Sequence, residues 1–242
     1  MPDSTPEAAP EGFSRAAESY DSAVRHNIAG SERLVMSLPD GDYARVLDVG
    51  CGTGFSAAAM IRRFHVSTLV GVDPAEGMLE VFGRKLGGFP GVHVELRAED
   101  VMAMGVQDAA FDAVITAMAL HWFPDKPGAV ARMARALRPG GVMGVLTAGR
   151  GGEEAWREVL VRAGAPEAWT GWFAENQRDV DEIAADMRAA GLQPLDVWME
   201  RRRRRTPPEA FMARTRAVAG HLLGNPPGGF SELDQRIDAA LH

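Results

Sequence analysis

Asp48, Gly50, Gly52 and Gly54 occupy alternate positions of the stretch RVLDVGCGTGF, residues 45–55, where residue type and spacing together dictate chemistry. Glycines so spaced allow left-handed backbone and a close approach of main chain to a ligand. A helix that starts directly after them adds unsatisfied N–H groups and the positive end of its dipole. Such a corner holds something polar or anionic. A second carboxylate, Asp73, stands 19 residues beyond Gly54, close to the offset of roughly 20 at which an acidic side chain reaches ribose hydroxyls in nucleotide-binding βαβ units.

These residues need a scaffold, and the flanking sequence predicts one. Val46, Leu47 and Val49 form a buried strand that ends in the glycines, and the alanine-rich 56–64 forms the helix after them. Residues 68–72 read as a second strand running into Asp73, with Pro74 at the first position of a helix over 75–86, so that Asp73 would also be that helix's N-cap. The inward face of this helix carries Met78, Leu79 and Phe82. Residues 92–96 predict a third strand, 111–116 a fourth, 126–137 a helix, and 142–147 a fifth strand after the turn LRPGG. Strands alternating with helices imply a parallel sheet with right-handed crossovers, so the loop AMALHWFPD behind the fourth strand shares a rim with Asp73 and the glycines.

Outside this region the pattern changes. Residues 1–10, rich in Pro, Ala and acid, read as a disordered tail ahead of a single domain over 11–242. Within 11–40, Phe13, Ala17, Tyr20 and Val24 share one helical face, and a second helix beginning at Ser31 carries Leu34, Val35 and Leu38. After the core at 45–147, residues 150–176 read as a helical cap whose Trp169, Trp172 and Phe173 suit either a substrate pocket or core packing. The C-terminal part, 178–242, offers a helix to Ala190 and a strand over 195–200 that runs into five arginines, 201–205. Two further helices follow, capped by Thr206 and Ser231. The arginines alternate between faces if extended and would guard a sheet edge; the other reading is nucleic-acid contact.

Composition narrows the partners. The 242 residues carry a net charge of -7, so no basic field draws the chain to nucleic acid or an anionic membrane. One cysteine, Cys51, excludes a disulfide framework and a multi-thiolate metal site, as a reducing compartment would have it. No apolar run approaches the roughly 18 residues that span a bilayer, and the expected location is cytoplasmic.

The glycine spacing separates two nucleotide readings. A dinucleotide fingerprint needs G-x-G-x-x-G. Counting from Gly50 places Phe55, and from Gly52 Ala57, where the third glycine should stand. VLDVGCGTG instead resembles motif I of the class I S-adenosylmethionine (SAM) methyltransferases, and LRPGG is similar to another of their motifs. The resemblance covers 45–147 strongly and the flanks weakly. It implies a Rossmann-like doubly wound sheet, mostly parallel, of six or seven strands, with N-terminal lid helices and a cap. Either the sheet has six strands or the chain ends early, since nothing after residue 205 reads as a strand.

The resemblance further implies SAM as cofactor and S-adenosylhomocysteine as product, with no metal. Asp48, Gly50, Cys51, Gly52 and Gly54 would hold the methionine moiety, Asp73 and Pro74 the ribose, and Met78 with the segment from Ala98 the adenine. Glu99 or Asp100 would take the adenine amino group, Ala117 would line the methionine side, and Tyr20 would contact the cofactor from the lid. His121 would serve as general base for a weakly acidic nucleophile, or would only line the pocket if the acceptor is a carboxylate. The expected activity is methyl transfer to an O, C or N nucleophile of a small organic molecule such as a carboxylate, phenol or quinone. A nucleotide-binding oxidoreductase and a non-catalytic SAM-binding protein are the alternatives.

Overall fold

A computed structural model describes residues 9–24, 26–152, 154–201, 205–216 and 228–241. Five strands form its centre: β1 (Arg45–Val49), β2 (Thr68–Val72), β3 (His93–Arg97), β4 (Phe111–Ala117) and β5 (Leu137–Leu146). They lie in the order β3-β2-β1-β4-β5, and every pairing is parallel. The order reverses at β1, so the β1 and β4 ends open a crevice at the switch point, which is where ligands bind in open α/β sheets.

The central strands β1, β2 and β4 are covered on both faces, which is why they are largely apolar, whereas the edge strand β3 alternates His93, Glu95 and Arg97 with Val94 and Leu96. Leu47 and Val49 join Val114, Val130 and Met133 on the side of α5 (Lys126–Ala136) and α8 (Val180–Ala189). Val46, pointing the other way as the period of two demands, joins Ile115, Met60 and Phe82 under α3 (Phe55–Arg63) and α4 (Glu76–Leu86). Two N-terminal helices, α1 (Ala9–Ala23) and α2 (His26–Ser37), sit on this second side. Asp21 ties α1 down, accepting from Thr53 Oγ1 at 2.5 Å and from Lys85 Nζ at 2.8 Å. Ser14 accepts from the Gly77 amide at 3.2 Å, and a Cβ at Gly77 would meet the Ser14 carbonyl at 2.5 Å. Helix α1 therefore rests closely on α4.

The expected cap is a separate small core. Trp156, Leu160, Trp169 and Trp172 from α6 (Glu154–Arg162) and α7 (Glu167–Asn176) pack with Phe211 of α9 (Pro208–Thr215) and Leu233 and Ile237 of α10 (Gly229–Leu241). Trp169 and Trp172 are thus core anchors, buried at 1% and 6% exposure. The α8 helix begins as its sequence suggests, Glu182 reaching back to accept from the Asp179 amide at 2.7 Å.

Several expectations are corrected. The sheet has five strands among the described residues, not six or seven, and 195–200 is not a strand. There the alternation is real but serves another purpose: Trp198 and Glu200 turn toward Arg33 of α2, with the guanidinium 4.3 Å from the indole centroid and 2.8 Å from the carboxylate. Leu195, Val197 and Met199 are left exposed, without a ladder partner. Three of the five arginines, 202–204, lie outside the described residues, as does most of the expected tail; Ala9 and Pro10 belong to α1. The second helix starts at His26, five residues before Ser31. Helix α9 is entered through Pro207 and α10 already at Gly229, so neither Thr206 nor Ser231 caps. Helix α4 starts at Glu76 with Ala75 as its N-cap, so Asp73 is free of that duty. Finally, LRPGG is a bulged part of β5: Leu137 pairs with Phe111 and Val142 with Ala113, which sets 138–141 opposite Asp112.

Candidate functional site: a cavity at the switch point

The turn after β1 is fixed from both sides. Gly50 and Cys51 donate their amides to the Val72 carbonyl at 2.8 and 3.1 Å, which locks the turn onto the end of β2. Gly50, Gly52 and Gly54 all have positive φ, 65°, 51° and 88°. Their other reasons for being glycine differ. A Cβ at Gly50 would lie 2.3 Å from that of Ala119, and one at Gly54 would lie 2.8 Å from the Phe82 ring. At Gly52 a Cβ would meet nothing within 4 Å, because open cavity lies above it.

Asp73 stands beside this opening, held by two backbone amides. Its Oδ2 accepts from Gly52 and its Oδ1 from Ala75, both at 2.9 Å. Each oxygen keeps a lone pair, so the carboxylate can accept two more O–H donors without moving. Burial raises its pKa to about 6, against the lowering by the two amides. Asp48 lies deeper and is fully buried. Its Oδ2 accepts from Ser56 Oγ at 2.7 Å, while its Oδ1 has no hydrogen-bond partner, and burial raises its pKa to about 7. Burial also pushes the Cys51 thiol well up, with Asp73 and Asp48 adding to it, so the thiol stays protonated.

The cavity above this floor measures about 700 Å³. Of the residues expected from sequence, it is lined by Tyr20, Gly50, Cys51, Gly52, Asp73, Pro74, Met78, Glu99, Asp100 and Ala117. Asp48, Gly54, Ala98 and His121 are not part of its wall. Asp48 supports the turn from below, Gly54 packs on Phe82, and Ala98 is turned to solvent. Glu99 and Asp100 shape their own loop, accepting from the amides of Gly105 and Met102 at 2.7 Å each.

His121 is buried and does not line the cavity, although its neighbours Trp122 and Ala119 do. Its Nδ1 lies 3.1 Å from Thr147 Oγ1, and its ring is 5.3 Å from Trp122 and 6.4 Å from Trp172. Trp122, which does line the cavity, stacks on Trp172 of α7 at 4.2 Å and 25°, and meets Phe13 of α1 edge-on at 5.2 Å. Lys126 joins the same wall to the cap, donating to the Phe123 carbonyl at 3.1 Å and to Asn176 Oδ1 at 3.0 Å; burial lowers its pKa.

The sequence reading missed Asn27 and Ser31 of α2 as lining residues, and with them Phe13, Trp122 and Phe123. On a helix, Asn27 and Ser31 look like solvated polar positions. Their spacing of four, which sets them on one face, was the available signal.

The cavity wall combines the two-oxygen acceptor of Asp73, the apolar side chain of Met78, the carboxylates of Glu99 and Asp100 and the bare backbone of Gly52, groups that together suit a ligand with both polar and flat apolar parts. Among the described residues no group of His, Cys, Asp and Glu could hold a metal ion, and no helix is long and apolar enough to cross a membrane.

Comparison with known proteins agrees. A family model described as a methyltransferase domain matches residues 46–141. The chain is similar to trans-aconitate 2-methyltransferase of Variovorax paradoxus, 32% identical over 69% of this chain and 64% of that protein. It is also similar to malonyl-[acyl-carrier protein] O-methyltransferase of Magnetococcus marinus, 31% identical over 64% of this chain and 58% of that protein. The aligned stretch spans less than two thirds of either relative's length. Among solved structures, a SAM-dependent methyltransferase of Thermotoga maritima superimposes with a TM-score of 0.55 at 23% identity, over 75% of this chain and 79% of that one, a likeness of fold.

Proposed function

The chain carries a class I SAM-dependent methyltransferase domain, and from that premise we propose that the protein transfers the methyl group of SAM to an O, C or N nucleophile of a small organic molecule. One observation carries this reading beyond the cofactor: the cavity does not stop at the nucleoside end. The same space of about 700 Å³ that touches Asp73 and Met78 continues to Phe13, Trp122 and Phe123, leaving room for a second ligand beside the first.

When bound, SAM supplies an electrophilic methyl group for in-line displacement. The chain's own residues bind, align and exclude water, which is where most of the barrier reduction in such a displacement must come from. Asp73 accepts the ribose hydroxyls, Glu99 or Asp100 the adenine amino group, and the 50–52 backbone with Ala117 flanks the methionine portion. Tyr20 and Phe13 close the roof from α1, which is anchored through Asp21. His121 acts as a positioning residue: seated against Thr147, it holds the Trp122 ring at the acceptor end.

The test is a methyl-transfer screen with labelled SAM over carboxylates, phenols, quinones and acyl carriers, run beside calorimetric titrations with S-adenosylhomocysteine and with NAD(H). Binding of S-adenosylhomocysteine with turnover of one acceptor class is the expected result. NAD(H) binding without S-adenosylhomocysteine binding overturns the reading, and cofactor binding without any turnover leaves a non-catalytic SAM-binding protein.

A further inference from the structure

Two kinds of contact hold α1 in place. Along its first half the seam with α4 is tight packing: Ser14 Oγ accepts from the Gly77 amide at 3.2 Å, and Ala17 is buried with Ala75, Met78 and Val81. Near its end the contacts turn polar and centre on one carboxylate. Asp21 Oδ1 accepts from Thr53 Oγ1 at 2.5 Å and Oδ2 from Lys85 Nζ at 2.8 Å, so a single side chain ties α1 both to the turn after β1 and to the last turn of α4. Thr53 is exposed to only 2% and lines the cavity, as do Phe13 and Tyr20 of α1. Asp21 thus joins one wall of the cavity to another while standing outside it.

Magnitudes single out this residue within the seam. Glu18 and Arg84 also pair across it, but their side chains are 80% and 54% exposed, and ion pairs so open to water contribute little. Asp21 and Lys85 are 35% and 32% exposed, and the bond from the buried Thr53 hydroxyl is charge-assisted. Both partners of Asp21 belong to the protein, so its bonds need no ligand atom to complete them. A restraint that is equally strong whether the cavity is filled or not slows entry and exit by one factor and leaves their ratio, the affinity, unchanged.

We propose that Asp21 is a positioning residue that latches α1 over the cavity, and that the parting of its bonds to Thr53 and Lys85 sets the rate at which SAM enters and S-adenosylhomocysteine leaves. The proposal rests on the methyl-transfer reading of the same cavity and adds a gated exchange step to it. The latch keeps Phe13 edge-on against Trp122 and so helps to exclude water during transfer. Opening of such an element, and not chemistry, limits turnover in many enzymes.

The test uses the full chain and S-adenosylhomocysteine, with association and dissociation rates read by surface plasmon resonance. Asp21→Ala should speed both rates about three- to ten-fold, with the dissociation constant held within about two-fold. Asp21→Asn, which keeps an acceptor for Thr53 but loses the charge, should speed both about two- to three-fold. Glu18→Gln should leave both within about two-fold of wild type. Hydrogen exchange should quicken in α1 of Asp21→Ala while β1 and β4 keep wild-type protection, which separates a freed helix from a protein that folds poorly. Faster dissociation with unchanged association overturns the proposal, because it makes Asp21 a contributor to affinity. Unchanged rates in both Asp21 variants, an equal effect from Glu18→Gln, or protection lost across the sheet overturn it too. Failure of the wild-type protein to bind S-adenosylhomocysteine at all is a different result, because it removes the methyl-transfer reading itself.

Discussion

At the scale of single residues, two buried carboxyl groups set opposite pH dependences. In the proposed role Asp73 accepts ribose hydroxyls fully only when ionised, and burial raises its pKa to about 6. Affinity for S-adenosylhomocysteine should therefore tighten as pH rises from 5 to 7, and titration calorimetry at several pH values should show the slope lost in Asp73→Asn. Asp73→Ala should weaken binding about a hundred-fold, the equivalent of two hydrogen bonds to a charged group; unchanged affinity would refute the ribose assignment. Asp48 works on stability instead. Its folded pKa of about 7 exceeds the usual carboxylate value, so between about pH 4 and pH 7 the folded state keeps a proton that the unfolded state has released. Its contribution is fully present below that window and is lost as pH rises through it. Urea unfolding of the wild type should thus show stability falling toward neutral pH by up to a few kcal/mol, and Asp48→Asn should flatten that component.

At the scale of elements, the Trp122–Phe123 side of the cavity, the proposed acceptor end, depends on how the cap is fastened to the sheet. Lys126 bridges the Phe123 carbonyl and Asn176 across the α5–α7 junction, and Lys126→Met removes both bonds while keeping the bulk. The expected outcome is a rise in KM for the acceptor, with S-adenosylhomocysteine affinity unchanged, and a stability loss of about 1–3 kcal/mol seen by denaturant titration. Asp125→Ala, which removes the N-cap bond to the Gly128 amide, should cost about 1 kcal/mol.

The elements also divide by how far local sequence can speak for them. The glycine turn, Asp73 and the first four strands were legible because strand periodicity and positive φ are local requirements that leave local marks. The segment 195–200 was misread for an equally physical reason. Alternation reports that two faces differ, and here one face meets Arg33 while the other meets solvent, with no neighbouring strand involved. Asn27 and Ser31 left only the faint signal of their shared helical face, because the elements on which α2 packs, α3, β4 and β5, come later in the chain. His121 was legible as a residue of the loop behind β4, but its contact with Thr147, 26 residues further on, has no local mark.

At the scale of the whole molecule, four apolar clusters among the described residues, two on the sheet, one between α1 and α4 and one in the cap, give the protein parts of unequal firmness. Among the described residues the cap core of α6, α7, α9 and α10 meets the loop behind β4 and the start of α5 through Trp122, His121 and Lys126. Regions of this kind open by sub-global routes that leave the rest folded. Hydrogen exchange should show cap amides exchanging well before those of β1 and β4, and S-adenosylhomocysteine should slow exchange in α1, whose residues roof the cavity. Uniform exchange across cap and sheet would show that the two form one cooperative unit.

The stacked indoles of Trp122 and Trp172 make the acceptor end optically conspicuous. Two aromatic chromophores 4.2 Å apart and inclined at 25° couple their electronic transitions, so the protein carries an exciton signature in circular dichroism that its other three tryptophans do not share with this pair. One member of the pair touches the cavity, so arrival of a flat ligand against Trp122 should alter that signal and quench the emission of the pair. The fold thereby supplies a label-free gauge of acceptor binding, one that Trp122→Phe should silence and that requires no turnover to read.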